Sequence, residues 1–292
     1  MVTALYAVSH PLMMRLPFKT IRGVGARGLH DGTLPNVGNR AINAAWTSHV
    51  GTVNPTFDPT MIFGGLMNTD DYLVETDGSD IKGERIAKQI MHLSHYFAHT
   101  VIKGDNFSDG RQPNGLQARC VLGTTQVTDA GTTNGGDALS LTLLDRAIKR
   151  VFRPTHLFMS SDMVVLLSAA ARQAGVMGNV QWQVGQIGYQ LETYRGLPIV
   201  EIGGAGQVYD SLPFTEAAPV GAQAQTGSIY IASVGLDGLH GIQNNAPKAS
   251  DDGRVPGTSY HAVVVNWYAG ISVARPNAIH RIRGIKNVAM VA

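Results

Sequence analysis

The strongest periodic pattern in the chain lies between Asp80 and Lys103. Within it, apolar residues recur at steps of four, three, four and four, at Ile86, Ile90, Leu93, Phe97 and Val101. This spacing places all five on one face of an α-helix, so the pattern predicts a long helix with one buried face. Gly104 follows at once and is a common helix stop.

The opposite face of this predicted helix carries a polar, weakly basic stripe. At about 100° per residue, five side chains cluster there, namely Arg85, Lys88, His92, His95 and His99. Histidines on one helix face can supply metal ligands. However, no carboxylate shares the stripe and its cations oppose a metal ion, so we interpret it as a solvated or partner-facing surface.

A different pattern precedes the helix. Between Ile42 and Val50, alternate positions follow a period of two, which predicts a strand or a long hairpin arm. The wider segment from Lys19 to Val74 has few helical signals. It is punctuated by the turn-forming residues Gly32, Pro35, Gly38, Pro55, Pro59 and Gly64-Gly65.

The rest of the chain mixes short helices with strands. Thr142 and Asp145 resemble a capping box that opens a second helix, and Ser161 is placed to cap a third, Asp162–Ala174. Strands are predicted at His156–Met159, Ile187–Tyr194, Leu197–Ile202, Ser228–Val234 and His261–Val273. This mixture indicates an α+β protein.

Long irregular stretches separate these elements. In Asp105–Asp137 only Leu116–Leu122 looks strand-like, and Gly203–Gly227 is similarly rich in loop residues. Such stretches leave backbone groups and apolar side chains unpaired unless a neighbouring subunit covers them. Charged residues make up only 15% of the chain, against about 25% in an average soluble domain. Both features favour a surface that is used in assembly.

Charge and cysteine content exclude several classes of protein. The 23 Lys and Arg against 21 Asp and Glu leave a net charge of +2, which argues against a dedicated DNA-binding domain. The single Cys120 excludes an internal disulfide and is predicted to be a small buried side chain. No membrane association is predicted, because the longest apolar stretch, Met163 to Ala171, is far shorter than a spanning helix.

Other candidate chemistry fails on context. Gly23 to Gly28 matches the dinucleotide fingerprint G-x-G-x-x-G, but Leu29 to Pro35 is turn sequence where a helix must begin. We therefore interpret the glycines as part of a flexible arm. Asp70 and Asp71 are interpreted as a solvated turn rather than a metal site. No catalytic residue, cofactor site or metal ligand is predicted.

Short motifs follow one another in order from Leu16 to Ile285. They are Leu16-Pro-Phe18, Asp70–Val74, Ile102–Asp105, Pro113–Leu116, Tyr194–Ile199, Gly227–Tyr230, Gly238–Ile242, Ala274–Ala278 and Arg281–Ile285. Each motif alone is weak. Their order resembles that of the major capsid proteins of tailed bacteriophages, which share the HK-ninety-seven fold.

The resemblance implies a division of the chain and a function. The implied segments are a short N-terminal arm (1–18), an extended E-loop (19–74), a peripheral domain with the spine helix (75–112), a mostly axial domain (113–226) and a mostly peripheral return (227–292). The implied protein is not an enzyme. It is a structural subunit that forms pentamers and hexamers of an icosahedral shell around double-stranded DNA, bound without base specificity.

The resemblance also implies partners and a location. Residues 1–18 leave no room for the N-terminal scaffolding segment that some members carry, so we expect a separate scaffolding protein or a precursor trimmed before Met1. A portal and a decoration protein are further expected partners. The shell would be assembled in the bacterial cytoplasm and would become the capsid of the virion.

Some members of the family link neighbouring subunits covalently through a Lys in the E-loop and an Asn elsewhere, with a carboxylate before the C-terminal Arg-Pro pair. Here no Lys lies between Arg22 and Glu75, and Asn266 to Tyr268 contain no carboxylate. We therefore expect a shell without such crosslinks.

Candidate contact residues follow from this assignment. Arg40, Trp46 and His49 are the candidate subunit contacts, and Arg85 and Lys88 are the candidate genome-facing charges. Trp46 is the preferred anchor, because a large aromatic side chain on a polar arm is typical of interface hot spots. Packing of Trp46 within its own subunit is the alternative.

Two other functions remain open at the level of sequence. An encapsulin-like compartment would use a similar fold to enclose cargo enzymes. A nucleotide-binding enzyme would require the Gly23 to Gly28 segment to bind a ligand.

Overall fold

The computed structural model describes residues 10–48, 50–77, 80–171, 180–184, 190–203 and 208–291. The helices are α1 (Pro11–Arg15), α2 (Asp71–Asp77), α3 (Asp80–Lys103), α4 (Leu116–Arg119), α5 (Leu141–Arg150) and α6 (Ser161–Ala171), with a 3₁₀ turn at Pro276–Ala278. The strands are β1 (Phe18–Thr20), β2 (Gly25–Asp31), β3 (Val53–Pro59), β4 (Met61–Asp70), β5 (Val127–Asp129), β6 (His156–Met159), β7 (Val180–Val184), β8 (Gln190–Tyr194), β9 (Leu197–Glu201), β10 (Thr226–Ala232), β11 (Leu239–Gln243), β12 (Lys248–Arg254), β13 (Tyr260–Val273) and β14 (Ile279–Lys286). This mixture confirms the α+β class.

Two sheets and a separate hairpin organise the strands. The larger sheet has the order β5-β14-β10-β6-β9-β8-β7, and the hairpin is β2-β3. The smaller sheet is built around β13, which pairs with β4 from Tyr260↔Asp70 to Ala269↔Met61. The other edge of β13 pairs with β12 and then with β11, whose far side pairs with β1.

The larger sheet separates two hydrophobic clusters. Ile229 and Ile231 of β10 pack into the cluster that contains α5 and α6, whereas Tyr230 and Ala232 pack into the cluster that contains α3. The alternation follows from the period of two in a strand. Strand β10 is therefore buried on both faces, and each fully buried Ile in it contributes about 1.5–3 kcal/mol to folding.

Helix α3 has the bounds that its periodicity predicts. Ile90, Leu93, Phe97 and Val101 are buried, and Ile86 packs against their cluster. The Phe97 ring lies 4.6 Å from that of Trp267 in β13 and 5.2 Å from that of Phe63 in β4. These aromatic contacts, each worth about 0.5–1.5 kcal/mol beyond burial, fix the helix against the smaller sheet.

The segment Leu116–Leu122 is not the strand that its composition predicts. It contains the short helix α4, which follows a close contact between Gly115 N–H and Gly104 O at 2.7 Å. Arg119 Nε donates to Asn114 O at 2.8 Å and closes the turn. Cys120, which follows, is buried as predicted, and burial raises its thiol pKa to about 12.

Both predicted capping arrangements are wrong in detail. Helix α5 begins at Leu141, before Thr142, and Asp145 pairs instead with Arg195 at 2.8 Å. Helix α6 begins at Ser161 itself, so Ser160 Oγ accepts from Met163 N–H at 3.3 Å. Consecutive Ser, Thr and Asp residues offer several caps of similar quality, which sequence alone does not rank.

The predicted strands at 156–159, 197–202, 228–234 and 261–273 are present with shifts of at most two residues at their ends. Of the strand predicted at 187–194, residues 190–194 form β8, and 187–189 lie outside the described residues. The predicted end of the third helix at 172–174 lies outside them too.

Candidate subunit interface

The β2–β3 hairpin projects from the smaller sheet. Its pairs run from Gly25↔Pro59 to Asp31↔Val53. Side-chain size limits the sequence here, because a Cβ on Gly25 would lie 2.5 Å from the backbone oxygen of Asp58. The Gly23 to Gly28 segment thus forms a turn and a strand, and no helix follows it to hold a pyrophosphate. This geometry excludes the dinucleotide interpretation, as the turn sequence after Gly28 predicts.

The base of the hairpin is fixed to the body of the subunit. Arg119 donates to Asp58 Oδ1 at 2.7 Å and to Ile271 O at 2.9 Å, and both ion-pair partners are largely buried. On the other strand, His30 Nε2 lies 3.1 Å from Val273 O. Partly buried polar contacts therefore hold the base of the hairpin to the smaller sheet.

The connection between β2 and β3, residues 32–52, is irregular in its described part. The strand predicted between Ile42 and Val50 is absent from the described residues there, because their alternating side chains have no partner strand and no buried face. Thr33 and Thr52 close the tip, with their hydroxyl oxygens 2.9 Å apart. We call residues 25–59 the arm and residues 34–50 its tip.

The arm and the residue before it expose many large apolar side chains. Ile42 is 94% exposed and Val37 92% exposed. The full set in this region is Val24, Leu29, Leu34, Val37, Ile42, Trp46, Val50, Val53 and Phe57. Isolated exposed apolar residues are ordinary, but a concentration of this kind marks a surface that a partner covers.

The structure brings together two of the predicted contact residues. Trp46 is 67% exposed, and Arg40 Cζ lies 5.6 Å from the centre of its ring. Arg40 also donates to Ala44 O at 2.8 Å, which holds its guanidinium beside the indole. The third predicted contact, His49, lies outside the described residues.

The histidine stripe on α3 is only partly a free surface. The His92 ring stacks on Tyr209 with ring centres 5.6 Å apart, and His99 Nδ1 lies 3.1 Å from Ser211 Oγ. His95 is buried, with its ring 5.1 Å from that of His10. The prediction of a solvated or partner-facing stripe is therefore wrong for His95, which is buried, and for His99, which Ser211 partly covers, whereas His92 stays exposed beside Tyr209.

The candidate genome-facing residues occupy the first half of α3. Lys88 Nζ lies 2.6 Å from Glu84 Oε1, and Arg85 donates to Asn68 O at 3.3 Å. The Lys88 charge is thus locally balanced by a carboxylate one helical turn away. Of the two acidic residues assigned to a turn, Asp71 is not simply solvated, because it lies 3.0 Å from both Arg254 and His261.

A buried ionic network links α3 to strands β10 and β14. No motif in the sequence predicts this network. Glu216 lies 2.8 Å from Lys103 at the end of α3 and 2.8 Å from Arg281 in β14, and Ser228 of β10 donates to the same carboxylate. Burial alone raises the Glu216 pKa, but the charges of Arg281 and Lys103 outweigh it and the pKa is lowered. The carboxylate therefore stays ionised.

Neither a metal-binding group nor a membrane-spanning helix is found among the described residues. None of their His, Cys, Asp and Glu side chains form a group of three or more that could hold a metal ion. In the described part of the chain, no helix has the length and apolar character needed to cross a membrane.

Comparison with known proteins places the fold. No protein-family model matches the sequence, and no curated protein matches it. Solved structures do match: the capsid of a native GTA particle has a TM-score of 0.69 and 13% identity, covering 95% of this chain and 90% of the other. An encapsulin from Synechococcus elongatus has a TM-score of 0.68 and 14% identity, with 96% and 89% covered.

A third structure, from Mycobacterium phage Bobi, has a TM-score of 0.64 and 10% identity, covering 94% of this chain and 89% of that one. These chains share an architecture over nearly their whole length. The protein therefore has the HK-ninety-seven capsid fold, which confirms the fold that its motif order predicts.

Proposed function

We propose that the chain is the major capsid protein of a tailed bacteriophage, and that copies of it assemble into a closed icosahedral shell. The observation that carries the proposal is the arm. It is anchored at its base, yet it presents a concentration of large apolar side chains that its own subunit leaves exposed. Covering such a surface with a neighbouring copy removes apolar area from water at many equivalent contacts, and this multivalency closes the lattice.

The domain division follows the same proposal. The proposed segments are a short N-terminal arm at 1–18, a peripheral domain around α3 at 75–112, a mostly axial domain at 113–226 and a mostly peripheral return at 227–292. We restrict the E-loop, first assigned to 19–74, to the arm at 25–59. The reason is that Met61–Asp70 pairs with β13 along its whole length and so belongs to the smaller sheet. Strands β10 and β14 join β6 and β9 in one sheet, so the two domains share that sheet.

The proposal includes contents, partners and location. The shell encloses double-stranded DNA that it contacts without base specificity, and pentamers and hexamers of this chain form its wall. A separate scaffolding protein, a portal and a decoration protein complete the particle, which assembles in the cytoplasm of a bacterial host. The assembled shell is the capsid of the virion.

An encapsulin-like compartment is the second candidate. It is supported by the likeness to the Synechococcus elongatus encapsulin, whose TM-score of 0.68 is close to the 0.69 of the GTA capsid. The two candidates differ in what the shell encloses. Nuclease-protected DNA inside purified particles supports the capsid, and a co-purifying protein cargo without DNA supports the compartment.

Electron microscopy of the purified chain after size-exclusion chromatography tests assembly directly. We expect closed shells or rings of five and six subunits. The informative variant replaces residues 34–50 by Asn-Gly, a pair suited to a tight hairpin turn, because Thr33 and Thr52 already meet at the base of the tip. This variant should keep its thermal midpoint and fail to form shells.

The substitution Trp46→Ala tests whether this one side chain anchors the arm to a neighbouring copy. Hot-spot truncations weaken an interface by about 2 kcal/mol or more, so we expect the concentration required for assembly to rise by more than tenfold. A matched control is Leu236→Ala, which removes an exposed apolar side chain outside the arm. Normal assembly of both the Trp46→Ala and the shortened-tip variants would overturn the role of the arm.

A further inference from the structure

A group of basic side chains gathers at the C-terminal end of α5. Arg146, Lys149 and Arg150 lie on the helix, Arg153 follows it, and Arg275 comes from the turn after β13. All five are exposed. The backbone joins the two segments directly, since Phe152 N–H donates to Asn277 O at 3.0 Å. We call these five residues the basic cluster.

Two of these cations contact the ring of Phe152. Arg153 Cζ lies 5.2 Å from the centre of the Phe152 ring and Arg275 Cζ lies 5.1 Å from it. Arg153 adopts a φ of 51°, in the left-handed region that L residues seldom occupy. Both guanidinium groups are therefore held against the same ring.

The basic cluster has no internal compensation. Among the described residues, no carboxylate lies within ion-pair distance of any of its five members. Arg146 and Arg150 are four residues apart on one helix, a like-charge spacing that destabilises a helix. The helix dipole favours Lys149 and Arg150 in the last turn, but it does not explain Arg153 and Arg275, which lie beyond the helix.

A recess of about 540 Å³ opens beside the basic cluster. Arg150, Asn277, His280, Thr124 and Thr125 are among its lining residues, and the full lining contains no carboxylate. Arg150 donates to Thr128 Oγ1 at 2.7 Å, and His280 Nε2 lies 2.9 Å from the same oxygen. Burial and the Arg150 charge lower the His280 pKa to about 4. The lining residues thus include a guanidinium, threonine hydroxyls and an amide, which are groups able to donate hydrogen bonds to an anion.

We propose that the basic cluster and its recess bind phosphate groups of a nucleic-acid backbone. The inference rests on the proposed function and deepens it, because it names a surface that meets the packaged DNA. Guanidinium groups match the geometry of phosphate oxygens, and such contacts carry no base specificity. The cluster suits this role better than Lys88 on α3, whose charge Glu84 already balances.

Binding of a short fluorescent duplex to the unassembled full chain, followed by anisotropy over a series of salt concentrations, tests the proposal. The variant Arg153→Gln with Arg275→Gln removes two exposed charges outside the helix. It should weaken binding and reduce the slope of log affinity against log salt by about 0.9 for each phosphate that the variant no longer neutralises. The matched control, Lys248→Gln with Lys286→Gln, removes the same charge from exposed positions on β12 and β14 and should bind as the unmodified chain does.

Three results would overturn the proposal. The first is an equal loss of affinity in both double variants, which would indicate a general charge effect. The second is competition by polyglutamate as effective as that by DNA, which would assign the cluster to an acidic protein surface such as a neighbouring copy. The third is binding of inorganic phosphate without binding of the duplex. Recovery of binding in the Arg153→Lys, Arg275→Lys variant would support the role of charge over that of shape.

Shell formation is measured on every variant by electron microscopy. Unchanged shells with unchanged DNA binding would remove this inference and leave the capsid proposal in place. Failure of the unmodified chain to form shells would remove the capsid proposal, whatever the binding assay gives.

Discussion

At the scale of single residues, Glu216 is the side chain on which separate elements converge. Its carboxylate forms ion pairs with Lys103 of α3 and Arg281 of β14, and it accepts a hydrogen bond from Ser228 of β10. The Glu216 side chain is almost wholly buried. The buried Arg281 and the partly buried Lys103 offset the desolvation of the carboxylate only while the geometry is complete. The network is therefore sensitive to the removal of any one member.

The substitution Glu216→Gln keeps the shape and removes the charge. Because Arg281 would then be buried without a counter-charge, we expect the free energy of unfolding to fall by about 3–5 kcal/mol. Urea denaturation of the unassembled chain measures it. The matched control is Asp129→Asn, which breaks the more exposed pair with Arg283 and should cost about 0–1 kcal/mol. Equal effects of the two substitutions would contradict the role of the network.

At the scale of elements, the anchor of the arm depends on α4. Arg119 reaches Asp58 in β3 and Ile271 O in β13, so this short helix connects the arm to the smaller sheet. The composition of this segment predicts a strand, so the anchor lies in a part of the sequence where the prediction is wrong.

The substitution Arg119→Gln should loosen the arm without unfolding the body. A buried carboxylate deprived of its partner costs about 1–3 kcal/mol, and this cost falls on β2 and β3 rather than on the two hydrophobic clusters. Faster hydrogen exchange in Gly25–Asp31 and Val53–Pro59, with unchanged exchange in α3, is the expected result. Arg40→Gln, at the exposed tip, is the control and should leave both regions unchanged.

Periodicity predicts the elements that bury one face within the subunit. The bounds of α3 and the position of β13 follow from apolar spacing, because the period of a helix or strand is visible when its buried side is internal. The arm shows the limit of this method. Its alternation from Ile42 to Val50 predicts a strand, but alternation indicates pairing only when a partner strand and a buried face exist in the same chain.

Polar features are the least predictable. Strand β12 has the sequence KASDDGR, whose residues have low β-propensity. It is a strand because it pairs with the edge of β13. The Lys103–Glu216–Arg281 network joins residues far apart in sequence, so no local motif marks it. Of the predicted contacts, Arg40 and Trp46 lie side by side because both belong to the same short turn of the tip.

At the scale of the whole molecule, buried histidines couple stability to acid. The pKa values of His99, His156, His240 and His280 are all lowered, chiefly by burial, and those of His156 and His280 fall to about 4. An unfolded His titrates near about 6.5. Between these pKa values the histidines of the unfolded chain are protonated while those of the folded chain are neutral. The free energy of unfolding therefore falls as the pH falls.

We therefore expect the thermal midpoint to decline steadily from pH 7 to pH 4. Below this range the Glu216 contribution, present above the ordinary Glu pKa, is lost as the pH passes through its lowered value, so the decline continues. Differential scanning calorimetry over this range measures the effect. The double variant His156→Gln, His280→Gln should have a shallower dependence, and a midpoint independent of pH in the unmodified chain would contradict the account.

Because Thr33 and Thr52 close the arm, the tip can decide which copies assemble together under the proposed function. Residues 34–50 can diverge without disturbing the hydrophobic clusters, since none of the described tip side chains contributes to them. Two chains with the same body and different tips would fold equally well in one cell. Under the proposed function, each would assemble only with copies that fit its own tip, so co-expression of the two chains would yield two populations of pure shells instead of mixed ones.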